Sequence, residues 1–437
     1  MDLKDNDTKV TYHHGMRTIG GTYIEVEHNG YKIYFDFGSV FNPKISMEGN
    51  FLEKAIKNDL IPELNGVYDR NITGQLNEDY SKKAVFISHI HLDHTQMINF
   101  VDKEIPVYMS NDTKNLLEVL NINGEFITNN PNFEGTRKLN GVNYDDIVKI
   151  GEISVKLIRV DHDGYGACGF IINTPDVKIA YTGDIRFHGY LEKETLNFIE
   201  EAKDSDLLII EGVSVSFDEK LNDTSDYNKK VYDSEIKLLE SLDSMINENL
   251  NNPIFFNYYE TNIERVIKLI EIAKKYDKVV VLDAYYANII KSLLNLDVYY
   301  YQTGDNSYNI NSDYNIDINS IGDNKYIFQL PIENFELLNF VPNNSIYLHI
   351  DATPLGEFDI SFESFLNKIK KYFNNIFILK CSGHAHPKDL YRIIDEIKPK
   401  VLTPIHSFKP EMLYNEYGNR ILPDRKQTIK WRKHETI

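Results

Sequence analysis

The densest chemistry in the chain is Ser88-His89-Ile90-His91-Leu92-Asp93-His94-Thr95, which follows the apolar run 84–87. Alternate side chains of an extended segment leave on the same side, so His89 and His91 point together. Asp93 and His94 follow where the chain turns. Imidazole and carboxylate groups suit zinc, and one loop so built can serve two adjacent metal positions. A pair of metals needs more ligands, and three strand ends offer them. Val160-Asp161-His162-Asp163 follows the run 155–160, Tyr181-Thr182-Gly183-Asp184 ends the run 179–182, and Thr403-Pro404-Ile405-His406 closes the run 401–405. Two metals held together lower the pKa of a water towards about 7 and neutralise charge on a reacting oxygen. That is hydrolytic chemistry.

Such residues need rigid elements behind them. Up to Glu211 the chain reads as short strands alternating with loops and a few helices. Asn29-Gly30, between the alternating runs 23–26 and 32–37, is a hairpin signal. The runs 84–88, 155–160, 169–173, 179–182 and 207–211 are β-rich and bounded by Gly, Asp or Pro. Several end in a polar residue before a sharp turn, where an α/β scaffold presents chemistry. After Glu211, helical spacing over 226–249 and 262–275 alternates with apolar runs at 253–258, 279–282 and 345–350. That alternation predicts a second α/β unit of parallel type. Residues 303–323, rich in Asn, Asp and Ser, read as a long surface loop. A strand over 376–380, a helix over 387–397 and a strand over 401–405 follow.

Composition narrows the class. The chain has 437 residues, 42% of them hydrophobic, which excludes a disordered or collagen-like protein. No apolar run is long enough to span a bilayer, and the N-terminus lacks the basic-then-apolar pattern of a signal peptide. Two cysteines, Cys168 and Cys381, cannot build a disulfide framework and read as buried thiols. The net charge of −19 argues against a nucleic-acid coat, yet 376–437 carries twelve Lys or Arg against seven Asp or Glu. A local basic face therefore stays open.

The chain resembles the metallo-β-lactamase superfamily. Its signature, His-x-His-x-Asp-His followed by separated His, Asp and His, falls here on His89, His91, Asp93, His94, His162, Asp184 and His406. Asp36, in Tyr34-Phe35-Asp36-Phe37-Gly38, matches the superfamily's early strand-end aspartate, which supports the ligand loop. The resemblance implies an α/β fold, an αββα sandwich, with two zinc ions per chain (manganese being the alternative) bridged by Asp184. His89, His91 and His162 would hold one ion; Asp93, His94 and His406 would hold the other. β-Lactamases commonly carry cysteine in place of Asp184, so antibiotic hydrolysis is not expected.

A domain-sized α/β unit between Asp184 and His406 resembles the β-CASP nucleases, RNase J-like enzymes above all. Their three added motifs fall on Glu211, on His384 within Ser382-Gly383-His384-Ala385, and on His406. Histidine rather than valine at the last position favours RNA. The resemblance thus implies a metallo-β-lactamase domain in 1–213 and 376–437, with a β-CASP domain inserted at 214–375. Asp93, Asp184, Glu211 and His384 would be catalytic, and Ser382, Gly383, His384 and Ala385 would bind substrate. His384 would act as general acid or phosphate donor, and Glu211 would orient a neighbouring histidine. A surface carboxylate is the other reading of Glu211. His386 stands where relatives often have serine. The expected partner is single-stranded RNA, with no membrane; the expected compartment is the cytoplasm and the candidate assembly a homodimer. With only a short stretch after His406, the extra C-terminal domain of bacterial RNase J is not expected in this sequence.

Two rival functions are a small-molecule ester or lactone hydrolase and a non-catalytic RNA-binding scaffold. The inserted unit, Glu211 and His384 speak against the first, and the full ligand set against the second. Arg425, Lys426, Lys430, Arg432 and Lys433 surround Trp431. This segment reads either as an RNA contact with Trp431 stacking on a base or as a terminal strand with Trp431 in the core. His188 lines the site or is structural; His13, His14 and His349 read as structural, and the Tyr258-Tyr259 and 299–301 clusters as packing.

Overall fold

The computed structural model describes residues 7–42, 45, 51–75, 79–217, 228–304, 308–432 and 435–436. Two compact units divide the chain. The first takes Met1–Phe187, Leu191–Glu219 and Gly383–Ile437, and the second takes His188–Tyr190 and Lys220–Ser382.

The first unit is an αββα sandwich. Among the described residues, one sheet of eight strands runs in the order Glu435–Thr436, Gln427–Arg432, Thr8–His14, Tyr23–His28, Tyr31–Phe35, Lys83–Phe86, Val107–Ser110, Asn140–Val142. The facing sheet of seven runs Asn419–Arg420, Val401–Ile405, Leu207–Glu211, Lys178–Tyr181, Cys168–Asn173, Ile153–Arg159, Ile147–Ile150. The hairpin forms at Asn29-Gly30, whose φ values of 50° and 77° give the twist that a two-residue turn between antiparallel strands requires. Alternation then sends Val10, Tyr12, Ile24, Val26, Ile33 and Phe35 inward against Val155, Leu157, Phe170, Ile172 and Ile209. Trp431 lies in this core, 3% exposed, on a strand paired with Thr8–His14. It does not stack on a base; its strand neighbour Lys430 faces out. Lys433 lies outside the described residues.

Helices cover both outer faces. Glu192–Ala202 turns Thr195, Phe198, Ile199 and Ala202 inward, and Pro387–Ile397 turns Leu390, Ile393, Ile394 and Ile397 inward, both onto the second sheet. These are the 3- and 4-residue steps of one helical face. On the first sheet, Asn111–Leu120 buries Leu116, Leu117 and Leu120 and starts at Ser110, whose hydroxyl accepts from Thr113 N–H.

The second unit holds a sheet of seven strands among the described residues, in the order Asn228–Tyr232, Asn375–Cys381, Ile346–Ile350, Ile254–Tyr258, Tyr326–Gln329, Val279–Asp283, Tyr300–Tyr301. Every pairing in it is parallel. The helix expected over 226–249 starts only at Glu235. Asn228–Tyr232 is instead a strand, half-buried at Lys229 and Tyr232 and exposed elsewhere, and so carries no apolar pattern to announce it. Residues 226–227 lie outside the described ones. The Asn-rich stretch 303–323 is anchored rather than loose, since Ile316, Ile318 and Ile321 pack on the unit's core; 305–307 lie outside the described residues. The units part after Glu219 and after Ser382, where the sequence put boundaries after 213 and 375. Asn375–Cys381 stays with the second unit because it pairs along its length with Ile346–Ile350 and Asn228–Tyr232. Among the described residues no helix is long and apolar enough to cross a membrane.

Candidate metal centre

The strand ends of the first unit converge on one carboxylate oxygen. Asp184 Oδ2 lies 3.4 Å from His89 Nε2, 3.4 Å from His94 Nε2, 3.8 Å from His162 Nε2 and 3.9 Å from His406 Nε2. Asp93 Oδ2 lies 3.5 Å from His94 Nε2 and 3.4 Å from His406 Nε2. His91 Nδ1 sits 3.1 Å from His162 Nε2. Ligand-capable atoms of His89, His91, His162 and Asp184 lie within 4.8 Å of one another, as do those of His94, Asp184 and His406, and those of His89, Asp93 and His94.

Each imidazole is aimed by what its other nitrogen touches. Asp36 is the hub. It accepts from Ser88 N–H and Ser88 Oγ–H on Oδ1 at 2.8 and 2.9 Å, and from His94 Nδ1 and the Tyr181 hydroxyl on Oδ2. Ser88 Oγ is in turn 3.0 Å from His89 Nδ1, so a relay from Asp36 holds His89 as well. His162 Nδ1 donates to Gly383 O at 2.6 Å. His406 Nδ1 lies 3.3 Å from Thr22 Oγ1, and its backbone is left-handed at φ 51° with N–H bonded to Gly15 O. These contacts leave Nε2 of His89, His94 and His162 for a ligand.

Close backbone approach fixes the histidine loop. A Cβ on Gly38 would stand 1.8 Å from the Asp93 carbonyl carbon, so only glycine lets the two segments meet. Phe37 N–H bonds to His94 O, and Met97 N–H returns to Phe37 O. Arg186 and Asp161, each 1% exposed, pair at 3.3 Å and join the loops that carry Asp184 and His162.

The residues fit a metal. Nε2 of His89, His94 and His406 is inaccessible and without a hydrogen-bond partner, which a buried polar atom tolerates only when something else satisfies it. Burial pushes the His162 imidazole down to about 3 and takes His89 well below its ordinary value, leaving lone pairs free of protons. His94 moves the other way. Burial would lower it, but Asp184, Asp93 and Asp36 together outweigh that and raise it well above the ordinary value. A metal on His94 therefore has a proton to displace.

Beside this cluster sits a second kind of pair. His384 Nδ1 is 3.2 Å from Glu211 Oε1 and 3.8 Å from Asp184 Oδ2. Glu211 is 1% exposed, and its Oε2 accepts from Val213 N–H, so it is no surface carboxylate. Burial works to lower the His384 pKa, yet Glu211 and then Asp184 outweigh it and lift it to about 10. Gly383 faces the centre through its carbonyl. Ala385, expected at the substrate, is instead fully buried with its N–H donating to Ile185 O, because it lies just ahead of the helix Pro387–Ile397 that packs on the second sheet. Ser382 ends the second unit, where its carbonyl lies 2.8 Å from His188 Nε2.

Comparison with known proteins agrees with this geometry. The family described as "Beta-lactamase superfamily domain" matches residues 73–235, which carry six of the seven motif ligands. A β-lactamase superfamily domain is therefore present in this chain. It is similar to Ribonuclease J of Mycoplasma genitalium, 22% identical over 365 residues, 75% of this chain. The match spans 58% of that relative's length. It is also similar to a crystal structure of a protein of unknown function from Enterococcus faecalis V583, 41% identical, with a TM-score of 0.88 over 97% of this chain and 100% of that one.

The superfamily motif pointed to His89, His91, Asp93, His94, His162, Asp184 and His406, and these seven side chains gather in the first unit together with Asp36, Glu211 and His384. Sequence reading missed Tyr181 and Ser88 as partners of Asp36, because neither type carries a metal signal. It also passed over Asp163, whose only signal was adjacency to His162. His13 pairs with Glu25, and His14 Nδ1 meets Gly21 O. Cys168 and Cys381 are buried thiols.

Proposed function

We propose that the chain is a two-metal phosphodiester hydrolase acting on RNA, of the RNase J-like β-CASP type. The observation that carries this reading is the His384–Glu211 pair set 3.8 Å from the oxygen on which four imidazoles converge. A carbonyl substrate is neutral until it is attacked, whereas a phosphodiester is anionic throughout and is matched from the start by a cationic imidazole.

In this reading His89, His91 and His162 would hold one ion and Asp93, His94 and His406 the other, with Asp184 placed to serve both. Two divalent ions, zinc or manganese, supply an activated water and neutralise the phosphoryl oxygens. The chain's own residues do the rest. Glu211 keeps His384 protonated and orients it through Nδ1, so the ring meets the phosphate as a cation and passes a proton to the departing oxygen. Asp36 holds His94 and, through Ser88, His89 against displacement. The second unit serves as the inserted β-CASP domain, and the partner is single-stranded RNA met in the cytoplasm. An ester or lactone hydrolase is the reading to exclude.

The test uses the full chain, purified without chelator. Elemental analysis is expected to find about two zinc-group ions per chain, from two sets of imidazole ligands. Single-stranded RNA with a 5′-monophosphate, a 5′-triphosphate or a circular backbone is offered beside a panel of esters and lactones. Cleavage of RNA, abolished by chelation and restored by Zn2+ or Mn2+, is the expected result. Ester hydrolysis with intact RNA, or well under one metal per chain even after reconstitution, overturns the reading.

A further inference from the structure

Asp163 follows His162 directly, and its Oδ1 is inaccessible and without a hydrogen-bond partner. That atom lies 3.4 Å from His162 Nε2, the nitrogen that Gly383 leaves available for a ligand. The spacing equals that between His89 Nε2 and Asp184 Oδ2. His91 Nε2 is 3.7 Å away, beyond hydrogen-bond reach, so Asp163 is not merely an acceptor for that ring. A carboxylate oxygen buried without a donor is strongly unfavourable unless a cation meets it.

The neighbouring loop is shaped around this side chain. A Cβ at Gly383 would stand 2.1 Å from Asp163 Oδ1 and 2.6 Å from Cγ, so no other residue at 383 leaves the carboxylate where it is. The same glycine's carbonyl holds His162. One residue thus fixes an imidazole by its oxygen and admits a carboxylate beside it by lacking a side chain.

We infer that Asp163 is a further ligand of the ion position built by His89, His91 and His162, and that it biases this position towards a harder ion such as Mn2+. The inference rests on the two-metal reading above. Three imidazoles with one shared carboxylate suit zinc, whereas a second carboxylate adds negative charge and a hard oxygen, which manganese favours more than zinc does.

The experiment measures metal binding, not turnover. Metal-free full-length protein and its Asp163→Asn variant are titrated with Mn2+ alone and with Zn2+ alone, reading bound metal by equilibrium dialysis and Mn2+ additionally by electron paramagnetic resonance. Asp163→Ser is carried in parallel in case the amide disturbs folding. Circular dichroism of the metal-free forms checks the fold, and the metal-induced rise in Tm gives a second readout. Removal of the carboxylate is expected to weaken Mn2+ at one position by on the order of tenfold or more, and Zn2+ distinctly less. Unchanged affinities overturn the inference. Equal weakening of both ions also overturns it, because it makes Asp163 an orienting partner rather than a ligand. If the unsubstituted protein binds neither ion, the two-metal reading fails and this inference with it, an outcome distinct from binding that ignores Asp163.

Discussion

At the scale of single residues, His406 and His384 belong to the same motif series yet stand differently. His406 Nε2 lies 3.4 Å from Asp93 and is buried without a partner, whereas His384 Nδ1 is engaged with Glu211. His406→Ala should lower metal occupancy and lose activity through that loss. His384→Ala should keep both metals and RNA binding but lose single-turnover rate by about 10²–10⁴-fold, as removal of a general acid does. Metal content, RNA affinity and rate measured on both variants check this; metal loss from His384→Ala, or an unchanged rate, contradicts the role. The seven motif residues were legible because a fixed spacing of rare types stands out against composition. Asp36 was readable only through resemblance, and Tyr181 and Ser88 not at all. Their contribution is hydrogen bonding to Asp36, and any hydroxyl residue in the sequence is an equal candidate for that until the strands bring them together. Asp163 shows the same limit: an aspartate beside a histidine says nothing until its oxygen is seen to be buried and unpartnered.

At the scale of elements, the site depends on backbones that meet without side chains between them. Gly38 stands where a Cβ would fall 1.8 Å from the Asp93 carbonyl carbon. Gly38→Ala must therefore push the histidine loop away from the strand end that carries Asp36, and both ions should bind more weakly while the distant core persists. Metal titration with circular dichroism as control checks it; wild-type metal content in the variant would contradict it. Trp431 makes the complementary point about packing. It is 3% exposed between the sheets, so Trp431→Ala should cost about 3–5 kcal/mol of the first unit's stability, read by urea denaturation followed by circular dichroism. Elements with a buried face were legible from their period: the hairpin around Asn29-Gly30, the strand Leu207–Glu211, the helix Pro387–Ile397 and the strand Val401–Ile405 all form where alternation or helical spacing put them. Asn228–Tyr232 was not, because a strand with no buried residue is specified by its neighbour's free backbone groups, which the sequence does not display. Trp431 itself could be read two ways, since a basic strand looks alike whether its aromatic faces core or solvent.

At the scale of the whole molecule, each of the two compact units carries a core of its own. The parallel character of the second unit was legible in its strand–helix alternation, but where the chain leaves it was not, because pairing of Asn375–Cys381 is a property of the assembled sheet. Within that unit His349 is 1% exposed among Tyr347, Phe362 and Phe365, and its Nε2–H donates to Pro354 O at 3.0 Å. Burial, with a smaller contribution from Lys380, brings its pKa down from 6.5 to about 4. The unfolded chain therefore takes up a proton as pH falls through 6.5, while the folded unit refuses it until about 4. Protons bind preferentially to the unfolded state throughout that window, so stability is lost as pH falls from 6.5 towards 4 and the loss is complete below the folded value. Between about pH 7 and pH 4.5 the loss amounts to about 2–3 kcal/mol, since each tenfold difference in proton affinity between the two states is worth about 1.4 kcal/mol. In His349→Phe the imidazole is gone, and an aromatic ring remains to fill its place beside Phe362 and Phe365. The variant is less stable at neutral pH for want of the bond to Pro354 O, but its stability should fall by about 2–3 kcal/mol less over the same pH range. The single tryptophan, Trp431, reports the first unit by fluorescence, so the circular dichroism change that remains after subtracting its transition isolates the second. Equal pH slopes in the two proteins for that second transition would mean that His349 titrates alike in both states, against the burial seen here.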